Sequence, residues 1–299
     1  MKHLLSIEQL SGAEIENLLA EAAVLKKNRK TCPQVLAGQQ WALIFTKSST
    51  RTRVSFEVGV RELGGQVMFL SGTDIQLGRG EPIKDTARVM GRMIDGAIIR
   101  TFAQQDVNEF AEYSGIPTIN ALTDEEHPCQ ILADLQTINE RFGSWKGKRV
   151  AFLGDGDCNV ARSWIWASAR LGFELVIGAP KEFQPAAEFM AKIPGHTISV
   201  TDDPKAAVEG IDAIYTDVWV SMGKEEEAAG RIETLRPWQI NAELMKHAKS
   251  EAIIMHCLPA YRGKEITEEV LEAQAPVIFD QAENRLHAQK AVLVALARQ

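Results

Sequence analysis

The chain has 299 residues, of which 45% are apolar and 24% charged, and its formal net charge at pH 7 is −7. This length predicts two domains of roughly 150 residues, and the acidic charge disfavours a general electrostatic grip on nucleic acid or on an anionic membrane. With no apolar run of bilayer-spanning length, no signal-peptide core and four scattered cysteines, we expect a cytoplasmic protein without disulfides, bound metal or cofactor.

Helices and strands are predicted to alternate through the first half. A capping-box pattern at Ser11 and Glu14 opens a helix that runs to Lys26. The segment 71–81 is rich in glycine and is predicted to be a mobile loop. Strands are predicted at 41–45, 66–70, 96–100 and 117–120, and helices at about 50–63, 84–94 and 108–113. This alternation favours a parallel sheet that is covered on both faces.

The same pattern restarts after a predicted helix at 128–142. Further strands are predicted at 149–153, 174–177, 197–200, 213–216, 252–255 and 277–279, and helices at 160–171, 185–191 and 284–298. We therefore predict an α/β protein of two doubly wound domains, residues 1–140 and 141–284, each a mainly parallel sheet flanked by helices.

The segment Ser49–Arg53 follows the first strand and opens a helix. Backbone N–H groups at a helix N-terminus favour an anion, and arginine adds a planar fork of donors that matches phosphate oxygens. The ordinary alternative is a helix capped by Ser49 or Thr50 with its arginines in solvent. Arg100 and His127 also lie at or after strand ends of this half, where ligands of parallel sheets bind. The presence of these two residues at neighbouring strand ends favours an anion site over a simple capped helix.

His127 is followed by Pro128, a residue favoured at the first position of a helix, which predicts His127 at the N-cap. Gln130 then projects from the same end of that helix. The pair can donate hydrogen bonds to a carbonyl or phosphate oxygen. The alternative is a histidine that only caps a helix.

The GDGDCN turn after the first strand of the second half fails the dinucleotide fingerprint. A third glycine would be required at Asn159, and Asp155 and Asp157 would repel a pyrophosphate. The turn suits the ammonium or carboxylate of a small polar ligand better. Asp217, at another strand end, can pair with an ammonium group beside the turn 221–223, unless this is only a capped turn.

His256 and Cys257 are adjacent, but neighbours on an extended chain point to opposite faces, so they need not form a catalytic dyad. A buried, inert thiol is the alternative for Cys257. Arg285 is predicted at the start of the last helix, where it places a guanidinium at a helix N-terminus, with a surface salt bridge as the alternative.

Taken in order, these motifs resemble the aspartate/ornithine transcarbamylase family over essentially the whole chain. FTKSSTRTRVSFE is similar to the family's carbamoyl-phosphate signature, and HPCQILADL is similar to its second element. DVWVSMG and HCLP point to the ornithine branch rather than the aspartate branch.

The resemblance implies a first domain for carbamoyl phosphate, a second domain for the amino acid, and a C-terminal helix, 285–299, that packs back on the first domain. It implies transfer of the carbamoyl group of carbamoyl phosphate to the side-chain amine of L-ornithine, giving L-citrulline and phosphate in arginine biosynthesis. A homotrimer with active sites at subunit interfaces is implied as well. A transcarbamylase for putrescine or a modified ornithine, and a non-catalytic relative, remain alternatives.

The resemblance also implies roles for individual residues. The implied catalytic residues are Arg51, Arg100, His127, Cys257 and Arg285. The implied carbamoyl-phosphate ligands are Ser49, Thr50, Arg51, Thr52, Gln76, Arg100, His127, Gln130, Cys257, Leu258 and Arg285. The implied ornithine ligands are Asn159, Asp217, Ser221 and Met222.

Overall fold

The computed structural model describes residues 1–72, 80–195, 197–220 and 225–298, which divide into two compact units. Unit 1 comprises Met1–Gln136 and Glu283–Gln299, and unit 2 comprises Thr137–Ala282. In the part of the chain that the structure describes, no helix is both long and apolar enough to cross a membrane.

Unit 1 is built on one parallel sheet. Its strands are β1 (Gln40–Phe45), β2 (Gln66–Ser71), β3 (Gly96–Arg100) and β4 (Thr118–Leu122). Its helices are α1 (Gly12–Lys27), α2 (Thr50–Glu62), α3 (Ile83–Met90), α4 (Gln104–Ser114) and the first part of α5 (Pro128–Phe142). The sheet order is β2-β1-β3-β4, as expected for a doubly wound domain.

Unit 2 repeats the plan with five parallel strands. These are β5 (Arg149–Leu153), β6 (Glu174–Gly178), β7 (Ile198–Thr201), β8 (Ala213–Thr216) and β9 (Ile253–His256). Its helices include α6 (Asn159–Leu171), α7 (Ala187–Met190), α8 (Pro204–Val208), α9 (Ala228–Leu235), α10 (Ala242–Met245), α11 (Glu268–Ala273) and the first part of α12 (Ala275–Ala297). The sheet order is β7-β6-β5-β8-β9.

Local sequence signals explain several of these elements. Ser11 accepts a hydrogen bond from the backbone of Glu14, and the Glu14 side chain reaches back to Ser11, which confirms the predicted capping box. In unit 2 the ring of Tyr215 stacks on Phe152 at 5.7 Å between centroids and meets the edge of Trp164 at 5.6 Å. This aromatic packing fixes α6 on the strands from which the second set of motifs extends.

The predicted strand at 277–279 is wrong, because these residues lie inside α12. A short apolar run that contains β-branched residues cannot be distinguished from a buried helical segment by its pattern alone. The predicted start of the last helix is wrong for the same reason, so Arg285 lies in the interior of α12 and not at its N-terminus. The predicted loop at 71–81 lies largely outside the described residues.

From Glu283 onward, the C-terminal helix belongs to unit 1, as the resemblance implied. The Lys26 Nζ of α1 donates a hydrogen bond of 2.7 Å to Asn284 Oδ1. Farther along α12, the buried Lys290 Nζ donates to Glu62 Oε2 of α2 at 2.7 Å. These polar contacts fix the rotation of α12 against α1 and α2, and they thereby place Arg285.

Gly96 provides a test of the packing of unit 1. A Cβ atom at Gly96 would lie 2.5 Å from the ring of Trp41, which is buried beside it in β1. We expect Gly96→Ala to destabilise the protein by about 1–3 kcal/mol, measured as urea-induced unfolding, because the ring and strand must shift.

Gly230→Ala is the matched control, because Gly230 lies in α9 and a Cβ there meets no atom of the described residues within 4 Å. Its stability should rise by up to about 1 kcal/mol through helix propensity. An equal response of the two variants would contradict the packing described for Gly96.

Candidate active site

The candidate residues of each unit lie at the point where the strand order reverses. In unit 1 this point falls between β1 and β3, where Phe45 is in register with Arg100. In unit 2 it falls between β5 and β8, where Leu153 is in register with Thr216. Ligands of open parallel sheets bind beyond the carboxyl ends of the strands at such points. The topology thus defines one candidate site in each unit.

The first site is organised by the N-terminus of α2. Ser49 is the N-cap, in extended backbone, and its Oγ accepts a hydrogen bond from the N–H of Thr52 at 3.3 Å. The Ser49 hydroxyl donates to Thr52 Oγ1 at 2.9 Å, and Arg285 Nη2 donates to the same oxygen at 2.7 Å. A guanidinium from the far end of the chain is therefore held at the start of α2. Thr50, the first residue of this helix, is exposed.

Arg100, His127 and Arg285 form the electrostatic centre of this site. All three are at most 6% exposed. Burial, followed by the positive charges of Arg285 and Arg100, holds the pKa of His127 well below its ordinary value. The imidazole is consequently neutral at physiological pH. It can donate one hydrogen bond without adding a third positive charge.

Arg51 and Gln130 carry polar atoms that a ligand could use. Within the described ranges, the buried Nε of Arg51 and the buried Oε1 of Gln130 have no hydrogen-bond partner. The amide nitrogen of Gln130 is fixed, because it donates to Asp134 Oδ1 at 2.8 Å. The Nε of Arg51 can donate a hydrogen bond and the Oε1 of Gln130 can accept one, so the two atoms offer complementary contacts to a polar ligand.

We call the first site the anion cluster and define it by eight residues. They are Ser49, Thr50, Arg51, Thr52, Arg100, His127, Gln130 and Arg285. The cluster combines a helix N-terminus with three arginines, a donor set that is suited to a phosphate group. The sequence analysis selected all eight residues, although it placed Arg285 on the wrong part of its helix.

The second site is centred on Asp217, which follows β8. The thiol of Cys257, which follows β9, donates to Asp217 Oδ1 at 2.8 Å, and the N–H of Val218 donates to the same oxygen at 2.7 Å. Burial raises the pKa of Asp217, an effect that the hydrogen bonds from the Cys257 thiol and the Val218 N–H only partly oppose. Asp217 is therefore a stronger base than an ordinary aspartate.

The structure also settles the relation between His256 and Cys257. The N–H of Leu258 donates to His256 Nδ1 at 2.8 Å, so the ring proton lies on Nε2 and is donated to Glu265 Oε1 at 3.1 Å. Both ring nitrogens are thereby occupied, and the thiol of Cys257 bonds to Asp217 instead. This supports the prediction that His256 and Cys257 need not form a dyad. Leu258 itself has a φ of 57°, a left-handed conformation that the histidine bond stabilises.

The GDGDCN turn lies beside this group. Cys158 is the N-cap of α6 and Asn159 its first residue. Burial, followed by the charges of Asp155 and Asp217, raises the pKa of Cys158 well above its ordinary value, so its thiol stays protonated. Neither Cys158 nor Asn159 lies where a dinucleotide would be favoured. The negative charges of Asp155 and Asp217 are suited to an ammonium group, and the prediction of an ammonium or carboxylate ligand at this turn stays a prediction.

Arg231 and Glu265 belong to the second site but were absent from the sequence prediction. Arg231 of α9 is buried, pairs with Asp155 and donates to the carbonyl oxygen of Trp219 at 2.7 Å. Neither residue lies in a recognisable motif. A sequence signal for Arg231 would have required knowledge of which strands are neighbours, whereas Glu265 contacts His256 and the N–H of Tyr261 in the segment that follows β9.

Three predicted ligands lie outside the residues that the structure describes, namely Gln76, Ser221 and Met222.

Asp217, His256 and Cys257 place possible metal-ligand atoms within 4.8 Å of one another. They fit a metal poorly as they stand. The lone pair on His256 Nδ1 already accepts a hydrogen bond, and the Cys257 thiol carries a proton that it donates to Asp217.

Comparisons with known proteins agree with the two-unit arrangement. The carbamoyl-phosphate-binding domain model of aspartate/ornithine carbamoyltransferases matches residues 2–140, and the model of their Asp/Orn-binding domain matches residues 146–296.

Individual relatives match along nearly their full length. The chain is 62% identical to an ornithine carbamoyltransferase of Akkermansia muciniphila, over 99% of this chain and 98% of the relative. It is 50% identical to an anabolic ornithine carbamoyltransferase of Pseudomonas aeruginosa, over 98% and 96%. The crystal structure of anabolic ornithine carbamoyltransferase from Campylobacter jejuni is similar with a TM-score of 0.94, at 43% identity, over 100% of both chains.

The charge state of His127 can be measured directly. We expect its imidazole to stay neutral from pH 8 to pH 5.5 in ligand-free protein, a range over which a histidine with the ordinary pKa of about 6.5 gains its proton. Nitrogen-15 NMR of histidine-labelled protein reports this, and His127→Asn identifies the signal. Titration of that signal near pH 6.5 would contradict the electrostatics described for the site.

Proposed function

Since this chain belongs to the aspartate/ornithine carbamoyltransferase family, we infer that it transfers the carbamoyl group of carbamoyl phosphate to the side-chain amine of L-ornithine. The products are L-citrulline and phosphate. The anabolic relatives from Pseudomonas aeruginosa and Campylobacter jejuni support a role in arginine biosynthesis. Within this chain, the observation that carries the proposal is the buried anion cluster, in which Arg285 bonds to Thr52 beside Arg100 and a neutral His127.

We assign carbamoyl phosphate to residues 1–140 together with 285–299, and ornithine to residues 141–284. The assignment is supported by the anion cluster, which lies within unit 1, and by the acidic group around Asp217, which lies within unit 2. It follows charge complementarity, since carbamoyl phosphate is an anion and ornithine carries two ammonium groups.

In this proposal the N-terminus of α2 and the guanidinium groups bind the phosphate. Ser49, Thr50 and Thr52 supply hydroxyl and backbone donors, and Arg51 supplies the Nε that has no partner among the described residues. Arg100 and Arg285 neutralise the charge that grows on phosphate as the carbon–oxygen bond breaks. Such preorganised donors are usually the largest catalytic contribution in a site of this kind.

His127 is assigned to the carbonyl oxygen of the carbamoyl group, and Gln130, whose buried Oε1 can only accept, is assigned to the amino group of the same carbamoyl unit. Attack by the amine gives a tetrahedral species with negative charge on the carbonyl oxygen. A neutral imidazole held between two arginines can donate a hydrogen bond to it throughout the reaction, because it does not titrate near neutral pH.

Asp217 and Cys257 are assigned to the amine. Ornithine's side-chain ammonium, with a pKa like that of lysine at about 10.4, must lose a proton before it attacks. Asp217 is a suitable acceptor, because burial raises its pKa and the hydrogen bond from the Cys257 thiol only partly opposes that effect. The amine is itself the nucleophile, so a covalent intermediate on Cys257 is not required. Cys257 and Leu258 lie on one segment, which we assign to the carbamoyl end of the first substrate as well.

The remaining ornithine ligands in the proposal are Asn159, Ser221 and Met222, which would hold the α-amino and α-carboxylate groups with Asp217. The position of Asn159 at the N-terminus of α6 supports a role toward a carboxylate.

We also propose a cytoplasmic homotrimer whose active sites lie at subunit interfaces, each completed by Gln76 of a neighbour. Four cysteines that form no disulfide in the described structure support a reducing environment, and the acidic net charge supports solubility. The molecular mass in solution tests the assembly.

Arg51→Ala should abolish citrulline formation, with a rise of about 3–4 kcal/mol in the activation barrier, while thermal stability stays nearly unchanged. Activity is lost because Arg51 contributes a donor that the phosphate would use. Stability is retained because the Arg51 side chain is only partly buried. Initial rates and thermal unfolding measure the two effects.

Arg298→Ala is the control for removal of an arginine from unit 1, since its side chain is 58% exposed and pairs only at the surface with Glu21. It should keep wild-type rates. Full activity of Arg51→Ala would remove Arg51 from the anion cluster.

The amine is tested by comparing initial rates with ornithine, putrescine, N-acetylornithine and aspartate at saturating carbamoyl phosphate. We expect ornithine to be used far better than the others, because a free α-amino group is matched by the acidic surroundings of Asp217. Preference for putrescine or N-acetylornithine would overturn the substrate assignment. Binding of carbamoyl phosphate without turnover of any amine would identify a non-catalytic relative.

A further inference from the structure

Lys47 lies in the turn between β1 and α2, two residues before the N-cap of α2. Its side chain is only 5% exposed, which is unusual for a lysine. The Nζ atom forms an ion pair with Asp124 and lies 4.2 Å from the centre of the Phe102 ring. This buried ammonium has no role in the proposed chemistry, although it is the charged residue that immediately precedes the Ser-Thr-Arg-Thr segment.

The partners of Lys47 lie on the two other loops that carry anion-binding groups. Phe102 follows β3, which ends at Arg100, and Asp124 follows β4, three residues before His127. These loops are joined by their backbones as well, because the N–H of Asp124 donates to the carbonyl of Phe102 at 2.8 Å.

The turn that contains Lys47 is fixed at its first residue. The N–H of Thr46 donates to the carbonyl of Arg100 at 2.9 Å, and its hydroxyl lies 3.1 Å from Thr101 Oγ1. Between Thr46 and the N-cap Ser49, the side chain of Lys47 is the contact that reaches the loop before His127. Loss of this contact would leave the orientation of α2 relative to that loop less restricted.

We propose that Lys47 is a positioning residue for phosphate binding, which ties together the three loops that carry the anion cluster. The proposal deepens the proposed function, on which it rests for the identity of the phosphate ligand. Its physical basis is that donors must be held within a fraction of an ångström of the bound group, and that this accuracy is supplied by surrounding contacts.

A direct contact between Lys47 and phosphate predicts a different response. If Lys47 were itself a phosphate ligand, neutralising Asp124 would release the ammonium and strengthen anion binding. If Lys47 acts by positioning, neutralising Asp124 breaks the tie and weakens anion binding. The sign of the Asp124→Asn effect therefore separates the two mechanisms.

The experiment uses Lys47→Met, Asp124→Asn and the double variant of the full-length protein. Asp124 is 60% exposed in its side chain, so its variant should fold even if Lys47→Met is unstable. Isothermal titration calorimetry with inorganic phosphate gives the dissociation constant without turnover. Initial rates give KM for carbamoyl phosphate, and KM for ornithine at saturating carbamoyl phosphate.

We expect each single variant to weaken phosphate binding and to raise KM for carbamoyl phosphate by roughly tenfold, on the scale that small displacements cause. The double variant should be no weaker than the more affected single variant, because both changes remove the same contact. KM for ornithine should stay within about twofold. Lys246→Met with Glu243→Gln removes an exposed ion pair of unit 2 and should change none of these values.

Two results would overturn the proposal. One is phosphate binding by Asp124→Asn that equals or exceeds that of the wild type. The other is a lower melting temperature of all three variants with unchanged phosphate affinity, which would make the contact purely structural. Failure of the wild type to carbamoylate any amine would refute the proposed function alone, since the phosphate titrations are independent of turnover.

Discussion

The hydrogen bond from Arg285 to Thr52 is the contact on which the first site depends. It spans 233 residues of sequence and brings a buried guanidinium to the first turn of α2. The two guanidinium groups of Arg100 and Arg285 repel each other in this buried cluster, and burial adds a desolvation penalty for each charge. This cost is limited because the lowered pKa of His127 keeps its imidazole neutral, so the cluster contains no third positive charge from a histidine. A bound dianion would offset the remaining repulsion between the two guanidinium groups.

The second unit uses the same fold for the opposite charge. The strands β5, β8 and β9 end side by side, with Leu153, Thr216 and His256 in register across them. The segments that follow therefore bring Asp217 and Cys257 into hydrogen-bond contact, and Asp155 close enough to affect the pKa of Cys158. Burial keeps Asp217 basic, which suits a group that meets an ammonium and accepts a proton. Two doubly wound sheets thus provide one cationic and one acidic site through the loops and helices that follow their strands.

Much of this arrangement was predictable because it depends on local signals. Strand ends, the Ser49 cap and Pro128 at the first position of α5 are set by short-range rules, and they locate most of the anion cluster. The interior position of Arg285 was missed because the run Val277–Phe279 reads equally well as strand or buried helix. Arg231 and Glu265 were missed for another reason. Arg231 meets Asp155 only because β5 and β8 are neighbours, which no local pattern encodes, and Glu265 meets His256 through the course of the irregular segment between them.

The role of Lys47 is harder to predict from the sequence than the role of the Ser-Thr-Arg-Thr segment that follows it. The Ser-Thr-Arg-Thr segment predicts a phosphate site because hydroxyl and guanidinium groups at a helix N-terminus are donors that match phosphate oxygens. For Lys47, two residues earlier, the sequence predicts no role, because most lysines lie in solvent. Its burial against Phe102 and Asp124 gives it a function that depends wholly on the neighbouring loops. Residues that contact a ligand are therefore easier to predict from the sequence, because their side-chain chemistry identifies them. Residues that hold those contacts in place are harder to predict, because the topology of the fold determines their partners.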